Sequence, residues 1–128
     1  MDKTNFEELV LDYFKGVDEE NIDAILETLT EDCAFSIETH GVKLVGHKEI
    51  TNMFKRLWKN HKSVEHKEFC FVKDLISNQI AVRFQVKNVL RNGQFVLKSN
   101  CNFFTLKDGL FSNIRVYMAG ENTLNKED

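Results

Sequence analysis

The stretch FSIETHG, residues 35–41, sets a carboxylate (Glu38), an imidazole (His40) and a turn glycine (Gly41) side by side. These are the parts of an acid/base pair, and equally the parts of a strand end and its hairpin. The two-residue period of a strand favours the hairpin: Glu38 points to the side opposite Phe35 and Ile37, and His40 falls at the rim. A second set lies further on. His66, Glu68 and Cys70 alternate with Glu65, Lys67 and Phe69, so a strand puts the first three on one face. There Glu68 could orient the His66 imidazole as a proton carrier, or the three could line a wet strand edge. Asn100 and Asn102 share a face with Phe104 and Leu106. Buried carboxamides need partners, here a ligand, a water, Tyr13 or one another.

Other chemistries are disfavoured. His40, His47, His61 and His66 show no ligand spacing with an acid nearby, so no metal site is expected. Cys33, Cys70 and Cys101 are odd in number and far apart, which suits small apolar side chains better than a disulfide framework or a catalytic thiol. No phosphate loop or dinucleotide fingerprint occurs, and no cofactor is expected. The net charge is −3, and the Lys-rich piece KRLWKNHK carries apolar residues at helical spacing, which argues against nucleic acid as a partner. The charged start MDKTNFEELV is no signal peptide, and no apolar run approaches a membrane span. The expectation is a cytoplasmic protein with no membrane partner.

The elements that must position these residues follow from periodicity. Thr4 and Glu7 form a capping box, and Phe6, Leu9, Val10, Tyr13, Phe14 and Val17 trace one helical stripe that Gly16 should end. A second helix carries Ile22, Ile25, Leu26 and Leu29, with Asp18 or Asn21 as its N-cap. Cys33, Phe35 and Ile37 alternate as a strand, THG turns, and VKLV returns. After Gly46 a third helix carries Ile50, Met53, Phe54, Leu57 and Trp58. Long strands then run at about 63–73, 79–90, 95–107 and 110–118, joined in part by the turn pairs Asn92-Gly93 and Asp108-Gly109. Helices early and strands late predict an α+β domain over residues 1–128, with a polar tail from about 120.

This order, with DYFKGVDEENIDAILETLTEDCAFSI and GVKLVGHKEITNMF, resembles the ketosteroid-isomerase-like group, which includes the SnoaL-type cyclases and nuclear transport factor two. The likeness rests on the aromatic pair Tyr13-Phe14, the acidic loop before IDAIL, the acidic turn Glu31-Asp32 and the glycine of VGHKEI, and it covers about Phe6 to Ala119. It implies a cone: a curved antiparallel or mixed sheet wrapped around N-terminal helices and enclosing an apolar pocket. It also implies a homodimer paired through the outer sheet face, here the face of Arg83, Gln85, Lys87, Leu97, Cys101, Phe103, Thr105, Arg115 and Tyr117.

In that group's isomerases a helix tyrosine and a protonated strand aspartate bind an oxyanion while a second aspartate moves the proton. By the resemblance Tyr13 falls at the tyrosine and Asn102 at the oxyanion aspartate, where an amide can still donate. Ile37 falls at the general base and cannot carry a proton, which leaves His66 or Glu38 for that task. Phe14, Phe35, Ile37, Phe54, Trp58, Val82, Phe84, Asn100, Phe104, Val116 and Met118 would line the pocket. Two functions fit. One is binding of a small apolar ligand bearing a carbonyl or hydroxyl, with isomerase, cyclase or dehydratase chemistry. The other is a non-catalytic module for homodimerisation or partner binding.

Overall fold

The computed structural model describes residues 6–124, so Thr4 of the expected capping box lies outside the described residues. Three helices, α1 (Phe6–Asp18), α2 (Ile22–Leu26) and α3 (Gly46–Asn60), accompany six strands: β1 (Leu29–Ile37), β2 (Val42–Val45), β3 (His61–Asp74), β4 (Gln79–Leu90), β5 (Phe95–Lys107) and β6 (Leu110–Tyr117). The sheet order is β2-β1-β6-β5-β4-β3. β1 runs parallel to β6, and the other neighbours are antiparallel. The sheet is mixed and does not close, with β2 and β3 at its edges, and α1 and α3 pack across it. This is the expected α+β architecture.

The inward face of each strand carries the core. Ile80, Val82, Phe84 and Val86 of β4 are buried, as are Phe104 of β5 and Ile114 and Val116 of β6. They meet Phe6, Val10, Tyr13, Phe14 and Val17 of α1 and Ile50, Met53, Phe54 and Leu57 of α3. Each fully buried aromatic or aliphatic side chain contributes roughly 1.5–3 kcal/mol. Aromatic edges organise the centre: Tyr13 stands edge-on to Phe14, Phe54 and Phe104 at centroid distances of 5.0, 6.1 and 5.5 Å.

Several local expectations need correction. Gly16 does not end α1, which continues to Asp18. It is there because α2 crosses close by: a Cβ at this position would lie 2.8 Å from Ile25 Cγ1 and 3.2 Å from the Ile25 backbone nitrogen. Asn21, not Asp18, caps α2, its Oδ1 accepting the Ala24 N–H at 3.1 Å. Leu29 opens β1 instead of closing α2, and the β1–β6 register shifts between Leu29 and Ala34, around the acidic pair Glu31-Asp32. In β3 the register with β4 slips between Lys67 and Cys70, and Glu68 takes φ +58°. This bulge throws Glu68 outward and turns Phe69 and Phe71 onto the core, so His66, Glu68 and Cys70 do not share one face.

Candidate functional site

A cavity of about 40 Å³ lies between the helices and the inner sheet face. α1 contributes Tyr13 and Phe14, β1 Phe35, α3 Phe54, β3 His66, β4 Phe84 and Asn88, β5 Asn100 and Asn102, and β6 with its continuation Val116 and Met118. Thr123 and Leu124 close one side. Ten expected residues therefore meet at one hollow: Tyr13, Phe14, Phe35, Phe54, His66, Phe84, Asn100, Asn102, Val116 and Met118. The hollow is narrower than a ligand pocket. Its volume takes a few waters, whereas drug-sized ligands occupy roughly 300–1,000 Å³.

Four expected pocket residues sit elsewhere. Ile37, Val82 and Phe104 are wholly buried core that does not reach the cavity. Trp58 stacks on Phe54 and donates its indole N–H to the Val17 carbonyl at 2.9 Å. Glu38 is a surface residue of the 3-10 turn Glu38–His40, where Oε2 accepts the Ser36 hydroxyl at 2.5 Å. It is not at the cavity, because no bulge follows Ile37 to swing it inward.

The polar equipment is of three kinds. Tyr13 is 2% exposed, and burial, with a smaller push from Cys33, holds its phenol well above the ordinary value. It stays a hydroxyl, able to donate, through the neutral range. The asparagines form the second group. Asn100 Oδ1 accepts the Ala119 N–H at 3.0 Å, whereas Asn88 Oδ1 and Asn102 Oδ1 are buried with no partner among the described residues. Such an acceptor costs roughly 1–3 kcal/mol. Sequence reading missed Asn88, yet the alternation Ile80, Val82, Phe84, Val86 carried two residues further points straight to it.

The third is a His–Asp pair. His66 Nδ1 lies 2.6 Å from Asp18 Oδ1, and the His66 backbone N–H donates to Asp18 Oδ2 at 2.9 Å. Asp18, the last residue of α1, takes the orienting place expected for Glu68. A neutral ring that donates its Nδ1–H to a carboxylate carries its lone pair on Nε2, the form of a base. The ring is seated between Phe14 and Phe84, at 4.7 and 5.3 Å between centroids. The other histidines bond main-chain carbonyls instead: His40 to Gly120, His47 to Thr30 and His61 to Leu57. The Cys33 thiol is pushed up to about 12, first by burial and then by Asp32, which disqualifies it as a nucleophile.

Comparison with known proteins gives three findings. The sequence profile of the SnoaL-like domain matches residues 10–114. A search of curated protein sequences returns no match. Among solved structures, a candidate polyketide cyclase from Xanthomonas campestris pv. campestris superposes with a TM-score of 0.83, at 18% identity and over 90% of each chain. TerC co-crystallised with polyporic acid gives 0.76 at 15% identity, over 85% of this chain and 87% of the other. An LEH-like epoxide hydrolase of M. tuberculosis gives 0.74 at 15% identity, over 87% and 80%.

Proposed function

Since the chain belongs to the SnoaL-like domain family, we propose that it binds a small, largely apolar ligand bearing a carbonyl or hydroxyl oxygen in the interior cavity, and moves a proton on it. The observation that carries this reading is the pair of amide oxygens, Asn88 and Asn102, that find no partner among the described residues and lie on the same cavity as Tyr13 and His66. A folded protein that leaves two buried acceptors unpaired gives up stability that a ligand hydroxyl restores. Turned over, the same amide donates to a carbonyl.

The chemistry divides among named groups. Tyr13 and Asn102 hold the substrate oxygen and stabilise negative charge as it develops there. His66, through Nε2, takes a proton from the carbon beside a carbonyl or from a hydroxyl, and returns it at another atom. Asp18 fixes the orientation of the ring. Isomerisation, cyclisation and dehydration all need these steps. Buried Ile37 takes no part, and Glu38, on the surface, is not the proton carrier. Fold relatives support the ligand class to the extent that TerC was crystallised with polyporic acid.

The small volume of the cavity favours a second reading, a non-catalytic module whose interior is filled. In either case the outer sheet face would pair two copies. Leu97, Phe103 and Tyr117 are exposed there, and Phe103 meets Tyr117 edge-on at 5.7 Å. Native mass spectrometry of the purified protein separates the readings. A bound small molecule in the wild type, lost in Asn102→Leu and in His66→Ala, supports the ligand site. Neither a co-purified molecule nor binding from a panel of phenols and cyclic ketones leaves the adaptor reading.

A further inference from the structure

We propose that Lys98 captures a carboxylate on the ligand, and that this capture releases the segment 119–124, which separates the inner cavity from a larger hollow. The inference rests on reading the inner cavity as a ligand site. The second hollow measures about 480 Å³ and is lined by Asn60, His61, Lys98 and the segment Ala119–Thr123. Thr123 lines both spaces, so the segment is the partition.

The partition is held by side chains. It lies past the end of β6, and three bonds fasten it: Ala119 N–H to Asn100 Oδ1 at 3.0 Å, His40 Nε2 to the Gly120 carbonyl at 2.9 Å, and Lys98 Nζ to the Glu121 carbonyl. Gly120, at φ +66°, gives the turn a residue free to change its backbone angles. One fastener is a charge out of place. Lys98 is 7% exposed, and its ammonium bonds a neutral carbonyl and lies 3.9 Å from Met118 Sδ. Burial lowers its proton affinity more than the nearby Glu121 raises it. To the dipole of a carbonyl, which the ammonium already bonds, a carboxylate adds the attraction of a full opposite charge, and that attraction is screened less in a buried site. Exchanging the Glu121 carbonyl for a ligand carboxylate is therefore favourable, and it undoes one fastening of the partition.

With the partition displaced, the two spaces join into a volume that suits a small-molecule ligand. Asn102 lies four positions along β5 from Lys98, roughly 13 Å. The ligand class is therefore an elongated aromatic or alicyclic hydroxy acid, oxygen at the Tyr13 and Asn102 end and carboxylate at Lys98.

The test compares two probes on the full chain by calorimetry at neutral pH: 4′-hydroxybiphenyl-4-carboxylate and its neutral carboxamide. The wild type is expected to bind the acid at least tenfold more tightly. Lys98→Met is expected to erase that preference, and Lys98→Arg to keep it. Amide hydrogen exchange in 119–124 is expected to speed up with the acid bound and not with the carboxamide. Equal binding of the two by the wild type, which needs no variant to fold, overturns the role of Lys98 and leaves the cavity reading standing. A preference that survives Lys98→Met does the same. Binding of neither probe overturns both.

Discussion

Asp18 grips His66 twice, Oδ2 on its backbone N–H at 2.9 Å and Oδ1 on its ring Nδ1 at 2.6 Å, and so ties the end of α1 to the middle of edge strand β3. A carboxylate at a helix C-terminus opposes the helix dipole, and an imidazole beside it relieves that conflict. The same contact fixes which ring nitrogen is basic and where the ring stands against Phe14 and Phe84.

Asp18→Asn tests that double contact. The variant keeps the shape and loses the charge-assisted bond, and is expected to fold with about 1–2 kcal/mol less stability, read from its urea midpoint. Nitrogen NMR is expected to show His66 protonated at Nδ1 in the wild type and as a mixture of tautomers in the variant. A His66 tautomer unchanged by the substitution would mean that the ring is fixed by packing alone.

Asn102→Leu separates a functional asparagine from a structural one. Its amide oxygen is buried and has no partner among the described residues, so an apolar side chain of similar size removes a cost instead of a bond. Thermal stability is expected to hold or to rise by up to about 1 kcal/mol, while affinity for a hydroxylated aromatic probe falls. Loss of folding would show that the carboxamide holds the strands together.

Gly16→Ala runs against ordinary helix behaviour. Alanine normally stabilises a helix interior by roughly 0.5–1 kcal/mol over glycine. Here the new methyl would meet Ile25 Cγ1 at 2.8 Å and the α2 backbone just beyond. Loss of about 1–3 kcal/mol is expected from overpacking, measured by denaturant melts. A gain would show that α2 is free to move away.

Alkaline stability carries a signature of the core thiol. Cys33 has its proton held up to about 12 in the fold against an ordinary value of 9.0, by burial first. Above pH 9 the unfolded chain releases this proton and the folded chain keeps it. Stability from this group is thus full below pH 9 and is lost as pH rises toward 12, by up to about 1.4 kcal/mol per pH unit. Cys33→Ala is expected to flatten that part of the fall. Parallel pH profiles for variant and wild type would show the thiol to be uninvolved.

The sequence made the frame of the fold legible, because burial on one face writes period 3.6 into α1 and α3 and period two into β4 and β5. It placed Tyr13 on the apolar stripe of α1 and Asn102 on one face with Phe104 for that reason, and left His66 between the interior and a wet strand edge. The partner of His66 was not legible. Glu68 stood nearest in sequence, but the bulge at Glu68 turns it away, and Asp18 arrives from 48 positions upstream through the packing of α1 on β3. The volume of the cavity was hidden too, since it depends on how Phe14, Phe84 and the segment ending at Leu124 share one space. Side-chain types alone do not fix that division.

Arg83→Glu combined with Phe103→Asp tests the outer face as a surface for a second copy. Both residues are exposed on neighbouring strands: Arg83 pairs in register with Cys101, two residues from Phe103, and Phe103 pairs with Arg115. An interface of this kind gathers aromatic residues at its centre and charges at its rim. Placing a carboxylate in the Phe103–Tyr117 pair would bury an unpaired charge between the copies, at a cost of several kcal/mol. Sedimentation velocity is expected to show a dimer for the wild type and a monomer for the double variant, with the cavity and its probe binding unaffected. A wild type that sediments as a monomer, or a double variant that stays dimeric, would remove this face from the assembly.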